Sequence, residues 1–199
     1  MRWFKADKWF RDASKDKDVK IINTGANLGE PTIEQELRFL SERDRFIPIT
    51  IEKQTRRTGN IIYGCQAVNK QVKPEFRRDT SDYDIYSKQP RKHALELEQS
   101  IDNHVNADIA HVKQVGYERD SEKGKMYRVE LKNFDNIADY NPTPSGMKCI
   151  IIDGIRYQRL GDANKKYLKM IKDEYMERLP KATQDLDRIH LDKYWRKVF

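Results

Sequence analysis

Apolar residues recur along this chain with two different periods, and the switches between them outline its elements. Residues 1–13 set Trp3, Phe4, Trp9, Phe10 and Ala13 among Lys, Arg and Asp, which predicts an amphipathic helix. Residues 23–31 are rich in turn formers and read as a loop. Thr32 followed by Gln35 matches a capping box, and Ile33, Leu37 and Leu40 continue at helical spacing, so a helix is expected to run to about Asp44. Phe46–Ile51 is apolar and β-branched but interrupted by Pro48, which leaves a short strand and the start of a helix both open there.

The middle of the chain changes character. Ile61-Ile62-Tyr63 ending in Gly64 reads as a buried strand meeting a tight turn, with one or two helical turns within 65–72. Residues 73–80 form a polar, basic loop. Tyr83–Tyr86 belongs to a strand in which Asp82 and Asp84 share one face, because side chains alternate with a period of two. Arg91–Val105 carries the clearest helical stripe, through Ala94, Leu97, Ile101 and Val105. Strands are expected within 107–115, at 126–131, and from 133 into Asp139. Residues 121–124 read as a turn and 141–146 as a loop, and a strand follows at 148–153 with a turn at Gly154. From Ala163 the pattern is helical, with a break near Pro180. The fold class is therefore α+β, a mixed sheet flanked by helices. Its parts are an N-terminal helical extension (1–45), a core (46–160) and a C-terminal helical segment packed on it (161–199).

Composition narrows the possibilities. The 199 residues carry 37% hydrophobic and 36% charged side chains, a polar but globular balance. No run approaches the length of a membrane span, and the charged N-terminus lacks the apolar stretch of a secretory signal. Cys65 and Cys149 are too few and too far apart for a disulfide framework, which fits reduced thiols in the cytoplasm, and neither they nor the four histidines have the spacing of a zinc site. The net charge of +7 is compatible with a nucleic-acid partner without requiring one.

The chemistry concentrates in Thr80-Ser81-Asp82-Tyr83-Asp84. Two carboxylates on one strand face repel each other unless a cation sits between them. Magnesium takes carboxylate oxygens and keeps phosphates in its remaining positions, so the pair suits a nucleotide-bound ion; the bland reading is a solvated strand edge. The upstream Gly64 lets a backbone approach a triphosphate closely, free N–H groups at the following helix start favour its charge, and Lys70, Lys73, Arg77 and Arg78 supply positive charge or simply a solvated basic surface.

The stretch from Tyr63-Gly64-Cys65-Gln66-Ala67 to Arg78-Asp79-Thr80-Ser81-Asp82-Tyr83-Asp84 resembles the signature of the nucleotidyltransferase (DNA polymerase β-like) superfamily. It looks closest to abortive-infection nucleotidyltransferase toxins and to the poly(A) polymerase catalytic subunits of large DNA viruses. The resemblance covers about residues 58–190. It implies a nucleotidyltransferase-type sheet and a third carboxylate on a neighbouring strand. Asp139, in Ile137-Ala138-Asp139-Tyr140-Asn141-Pro142, has the expected form, and Glu130 and Asp135 are its rivals. Arg178-Leu179-Pro180-Lys181-Ala182-Thr183-Gln184-Asp185 resembles a helical segment that helps close the nucleotide site, or else is a solvated face with an ordinary ion pair. Cys65 departs from the pattern, standing where the family has Gly or Ser.

The resemblance implies an enzyme that moves an NMP from an NTP, such as ATP, to a hydroxyl, with Mg²⁺ or Mn²⁺ held by Asp82, Asp84 and Asp139. Gly64, Cys65, Ser81, Arg77, Arg78 and Lys181 would bind the nucleotide. The expected acceptor is an RNA 3′ end or a protein, with a small molecule also open, and no membrane is involved. The rival reading is a catalytically inactive nucleic-acid-binding module on the same fold, which the Cys65 departure favours.

Overall fold

The computed structural model describes residues 20–22, 28–115, 125–132, 136–173 and 179–198. The expected helix at 1–13, the turn at 121–124 and the break before Pro180 lie wholly or largely outside them.

Helix α1 (Ile33–Thr58) opens with the expected capping box: the Gln35 N–H donates to Thr32 Oγ1 at 3.3 Å and the Thr32 N–H to Gln35 Oε1 at 2.9 Å. It does not stop near Asp44. It continues through Pro48 and ends at Gly59 in the left-handed conformation, φ 69°. The reason is burial. Phe39, Ile47 and Ile51 lie along one stripe and all enter the main core, which offsets the hydrogen bond Pro48 cannot make. The helix thus crosses the 45/46 boundary drawn from the sequence without interruption.

The described residues form eight strands in a single mixed sheet: β1 (Lys20–Ile22), β2 (Ile61–Tyr63), β3 (Tyr83–Ser87), β4 (Ala110–Val115), β5 (Met126–Leu131), β6 (Asn136–Pro142), β7 (Cys149–Ile152) and β8 (Ile155–Gln158). Their spatial order is β1-β4-β5-β6-β3-β2-β8-β7, with β3–β6 and β2–β8 parallel and every other pair antiparallel. One face is apolar. Ile62, Ile85, Val112, Val129, Ala138 and Tyr140 bury there with α1 and with helix α3 (Pro90–Val105). The other face is polar along β4, β5, β6 and β3, the two-sided pattern that a half-covered sheet produces. Helices α2 (Gly64–Asn69), α4 (Leu160–Lys172) and α5 (Leu179–Val198) close a second, smaller core around Val68, Tyr167, Leu186 and Ile189. Among the described residues no helix is long and apolar enough to cross a membrane.

Two boundaries differ from expectation. β6 runs on to Pro142, which ends the strand opposite Ser87, so Asn141 belongs to the sheet and not to a loop. β4 begins only at Ala110. Asn106 caps α3 at φ 58°, and the buried Asp102 carboxylate accepts the N–H groups of Ile109 and Ala110 at 3.0 and 2.9 Å, so that backbone is bound to a side chain before a partner strand takes over. Burial pushes Asp102 up from 3.8 to about 6 despite those two hydrogen bonds. The folded state therefore binds this proton more tightly than the unfolded chain does. The resulting stabilisation is complete below pH ~4 and is lost as pH rises through about 6, a change on the order of 3 kcal/mol. Urea titrations at several pH values should show wild type losing stability against Asp102→Asn over that window, and parallel curves would refute the assignment.

Candidate active site

β2, α2 and the segment into β3 position the first functional residues. Tyr63 ends β2, and Gly64 turns the chain into α2 with φ +68°. A Cβ on Gly64 would run into Oδ2 of Asp84, so only glycine lets the turn lie this close to that carboxylate. Asp84 is the second residue of β3. Asp82 stands exposed just before the strand and accepts the Thr80 hydroxyl at 2.7 Å.

The strand register then lines up a row across the polar face. Lys113 on β4 faces Arg128 on β5, Arg128 faces Asp139 on β6, Asp139 faces Asp84 on β3, and Asp84 faces Tyr63 on β2. Asp84 and Asp139 are thus direct neighbours on parallel strands, which run about 4.8 Å apart. Two like charges so placed are unfavourable unless a cation intervenes. Part of that charge is already matched: Arg128 grips Asp139 with both edges of its fork, Nε to Oδ1 at 2.8 Å and Nη2 to Oδ2 at 3.1 Å. The hydrogen bond to Asp139 leads in holding the guanidinium above its ordinary pKa, against burial, and the charges of Glu130 and Asp82 add to it.

The aromatic end of the row is packed. Tyr63 stacks on Tyr86 at 3.8 Å between centroids, Asn141 donates to the Tyr63 hydroxyl at 2.8 Å, and the Lys166 ammonium of α4 sits 4.5 Å over the Tyr63 ring. Burial, and then the charge of Asp84, pushes the Tyr63 phenol well up and Tyr86 to about 12, so both hydroxyls stay protonated at neutral pH.

The chemistry of the donor set, hard carboxylate oxygens, fits a magnesium or manganese ion at Asp82 and Asp84. In this conformation, however, no three acidic, histidine or cysteine side chains among the described residues are grouped to hold one. The Asp139 oxygens face Arg128 instead. Of the rivals for the third carboxylate, Asp135 lies outside the described residues. Glu130 sits farther along β5, tied to Lys113 Nζ at 2.5 Å and to His111 Nε2 at 3.5 Å.

The basic residues divide. Arg77, Ser81 and Lys181 are exposed. Lys70 pairs with Asp153 at 3.5 Å, and the Lys73 ammonium lies 5.6 Å over the Trp195 ring. Arg78 turns inward to Asp185 of α5, Nε to Oδ1 at 3.3 Å. Asp185 is only 3% exposed and also takes Arg188 Nη2 at 2.7 Å. Arg188 reaches on to Asn69 Oδ1 at 2.6 Å and to the Cys65 sulfur at 3.7 Å. The side chain of Cys65 therefore packs beneath α2 against Arg188, and burial pushes its thiol up. Asp185, which reads in the sequence as a residue near the nucleotide or in an ordinary surface ion pair, is a buried counter-ion that fastens α5 to α2 and the loop before β3. Asp185→Ala would leave Arg78 and Arg188 without it, so we expect a loss of about 3 kcal/mol or more in a urea titration. A loss below about 1 kcal/mol would refute that role.

Sequence reading missed Arg128, Lys166 and Asn141. Asn141 was hidden by the neighbouring Pro142. The other two become visible only through strand register and helix packing, and no local spacing signals them.

No protein-family model matches the sequence, and no curated protein matches it. Among solved structures, the Megavirus polyadenylate synthase superposes with a TM-score of 0.61 at 24% identity, over 81% of this chain and 35% of that one. The Helicobacter pylori protein JHP933 gives a TM-score of 0.38 at 12% identity, over 70% of this chain and 58% of that one. This chain has a nucleotidyltransferase-like fold. It spans about a third of the length of the Megavirus protein.

Proposed function

We propose that this chain is a metal-dependent nucleotidyltransferase that moves an NMP from an NTP to a hydroxyl acceptor, an RNA 3′ end or a protein. The observation that carries the reading is the register pairing of Asp84 with Asp139 at the centre of a nucleotidyltransferase-like sheet, beside the glycine turn at Gly64. In the reaction the acceptor oxygen bonds to the α-phosphorus, the bridging P–O bond to the β-phosphate breaks, and pyrophosphate leaves with the electron pair.

Each residue has a distinct duty in that scheme. Asp82 and Asp84 would hold the Mg²⁺ or Mn²⁺, and Asp139 would complete the set and take the acceptor proton. The bound ion supplies charge neutralisation at the triphosphate and a more acidic acceptor hydroxyl. Backbone groups at Gly64 and Cys65 approach the β- and γ-phosphates. Arg77, Ser81 and Lys181 are exposed groups suited to phosphate oxygens, and Lys166, stationed over Tyr63, adds a cation at the end of the row. Arg78 contributes indirectly, by bracing the loop before β3 through Asp185.

A second reading has its own support. The bidentate hold of Arg128 on Asp139 and the burial of the Cys65 thiol would also suit an inactive, nucleic-acid-binding relative. Transfer from each α-labelled NTP, with Mg²⁺ or Mn²⁺ and with RNA or total protein as acceptor, separates the two. Label on one acceptor class, absent with Asp82→Ala/Asp84→Ala, is the expected result. No transfer together with no metal-dependent NTP binding would leave the binding module.

A further inference from the structure

The polar row across the sheet holds a cation of its own, and a place for that cation to go. Arg128 binds both Asp139 oxygens at 2.8 and 3.1 Å, while its Nη1 lies 3.9 Å from Glu130 Oε1. Asp139 and Arg128 are mostly covered, with side chains 13% and 32% exposed, so the pair is screened less than a surface bridge. A carboxylate gripped through both oxygens has few lone pairs left for a metal ion.

We propose that Arg128 is the resident cation of the resting site: it holds Asp139 until a divalent ion competes for that carboxylate, and Glu130 then receives the released guanidinium. This rests on the reading of Asp82, Asp84 and Asp139 as the metal-binding set. Arg128 is a positioning residue in this scheme. It offsets part of the repulsion between Asp139 and Asp84 before an ion binds, and it makes completion of the set depend on the ion. Two features of the geometry favour exchange over permanent closure. Glu130 is two residues along the same strand and its carboxylate is already shared among Lys113, His111 and Arg128, so the guanidinium moves between acceptors without being stranded. The pair is also open enough for water to assist.

Mn²⁺ binding to the full chain, read by electron paramagnetic resonance without nucleotide, tests this apart from activity. Wild type is expected to bind Mn²⁺ in a manner sensitive to Asp82→Asn and Asp84→Asn. Arg128→Gln should bind about tenfold more tightly or gain a second ion, since a charge-assisted bidentate pair no longer competes. Adding Asp139→Asn should erase that gain. A structural role alone would lower the melting temperature of Arg128→Gln without raising Mn²⁺ affinity. If Arg128→Gln does not fold, Arg128→Lys, which cannot grip both oxygens, should shift affinity in the same direction by a smaller factor. Mn²⁺ binding that depends on Asp82 and Asp84 but is unchanged or weakened in the Arg128 variants overturns the proposal and leaves the proposed function standing. Binding that depends on neither aspartate in any variant overturns both.

Discussion

Asp84→Asn should reduce nucleotidyl transfer by about a thousandfold or more while leaving the melting temperature equal to or above that of wild type. The two effects separate because they arise from different properties of one carboxylate. In the proposed reaction, Asp84 would supply negative charge at the centre of the sheet and hold the ion that neutralises the triphosphate. Loss of a single preorganised electrostatic group in an active site costs about 10²–10³ in rate, and loss of an ion-holding charge belongs at or beyond the upper end. In folding, the same charge lies opposite Asp139 across β3 and β6, so removing it relieves repulsion. Asn keeps the size of the side chain and an oxygen that can still accept a hydrogen bond. Asp139→Asn differs in its stability effect, because it strips Arg128 of a bidentate partner and should destabilise the fold. Initial rates with labelled NTP, paired with thermal melts, provide the check. Transfer by Asp84→Asn within tenfold of wild type would remove this residue from the mechanism.

How far the sequence alone leads depends on whether the information is local. The strand that carries Asp84 is legible in the alternation of Tyr83–Tyr86, whereas Asp82 stands one residue before that strand, where the two-residue spacing does not fix which way its side chain points. The Thr32–Gln35 capping box is legible because it closes over three residues. Resemblance singles out Asp139, and the register places it directly beside Asp84. Arg128 is not legible. Its meeting with Asp139 is fixed by the β5–β6 pairing, which contains a register shift between Val129 and Glu130 that no spacing rule foresees. The fate of Arg78 is equally hidden, because its partner Asp185 is 107 residues away. Pro48 misleads for the opposite reason. Its local signal is strong, and the burial of Phe39, Ile47 and Ile51 overrides it. Local structure carried by short spacings is thus readable here, whereas charge pairing across strands and helices is not.

The position where local backbone and site geometry meet most tightly is Gly64, and Gly64→Ala should lower transfer by about a hundredfold or more. Two penalties combine. The residue adopts φ +68°, where an L side chain is strained by about 1–2 kcal/mol. The new methyl would also occupy the space of the Asp84 carboxylate, so either Asp84 rotates away or the turn into α2 shifts. Displacements on the order of 1 Å at reacting groups can cost about 10² in rate. Gly59 separates the two penalties. It has nearly the same dihedral, φ +69°, but a Cβ there would meet only the Arg156 guanidinium at 3.6 Å, an ordinary contact. Gly59→Ala should therefore lose stability by about 1–2 kcal/mol and keep its activity in the remaining folded protein. Thermal melts and transfer rates on both variants read the difference. Equal activity in Gly64→Ala and Gly59→Ala would mean that the close approach of Gly64 to Asp84 serves folding alone. A selective loss in Gly64→Ala would tie the glycine to the placement of the Asp84 carboxylate in the proposed reaction.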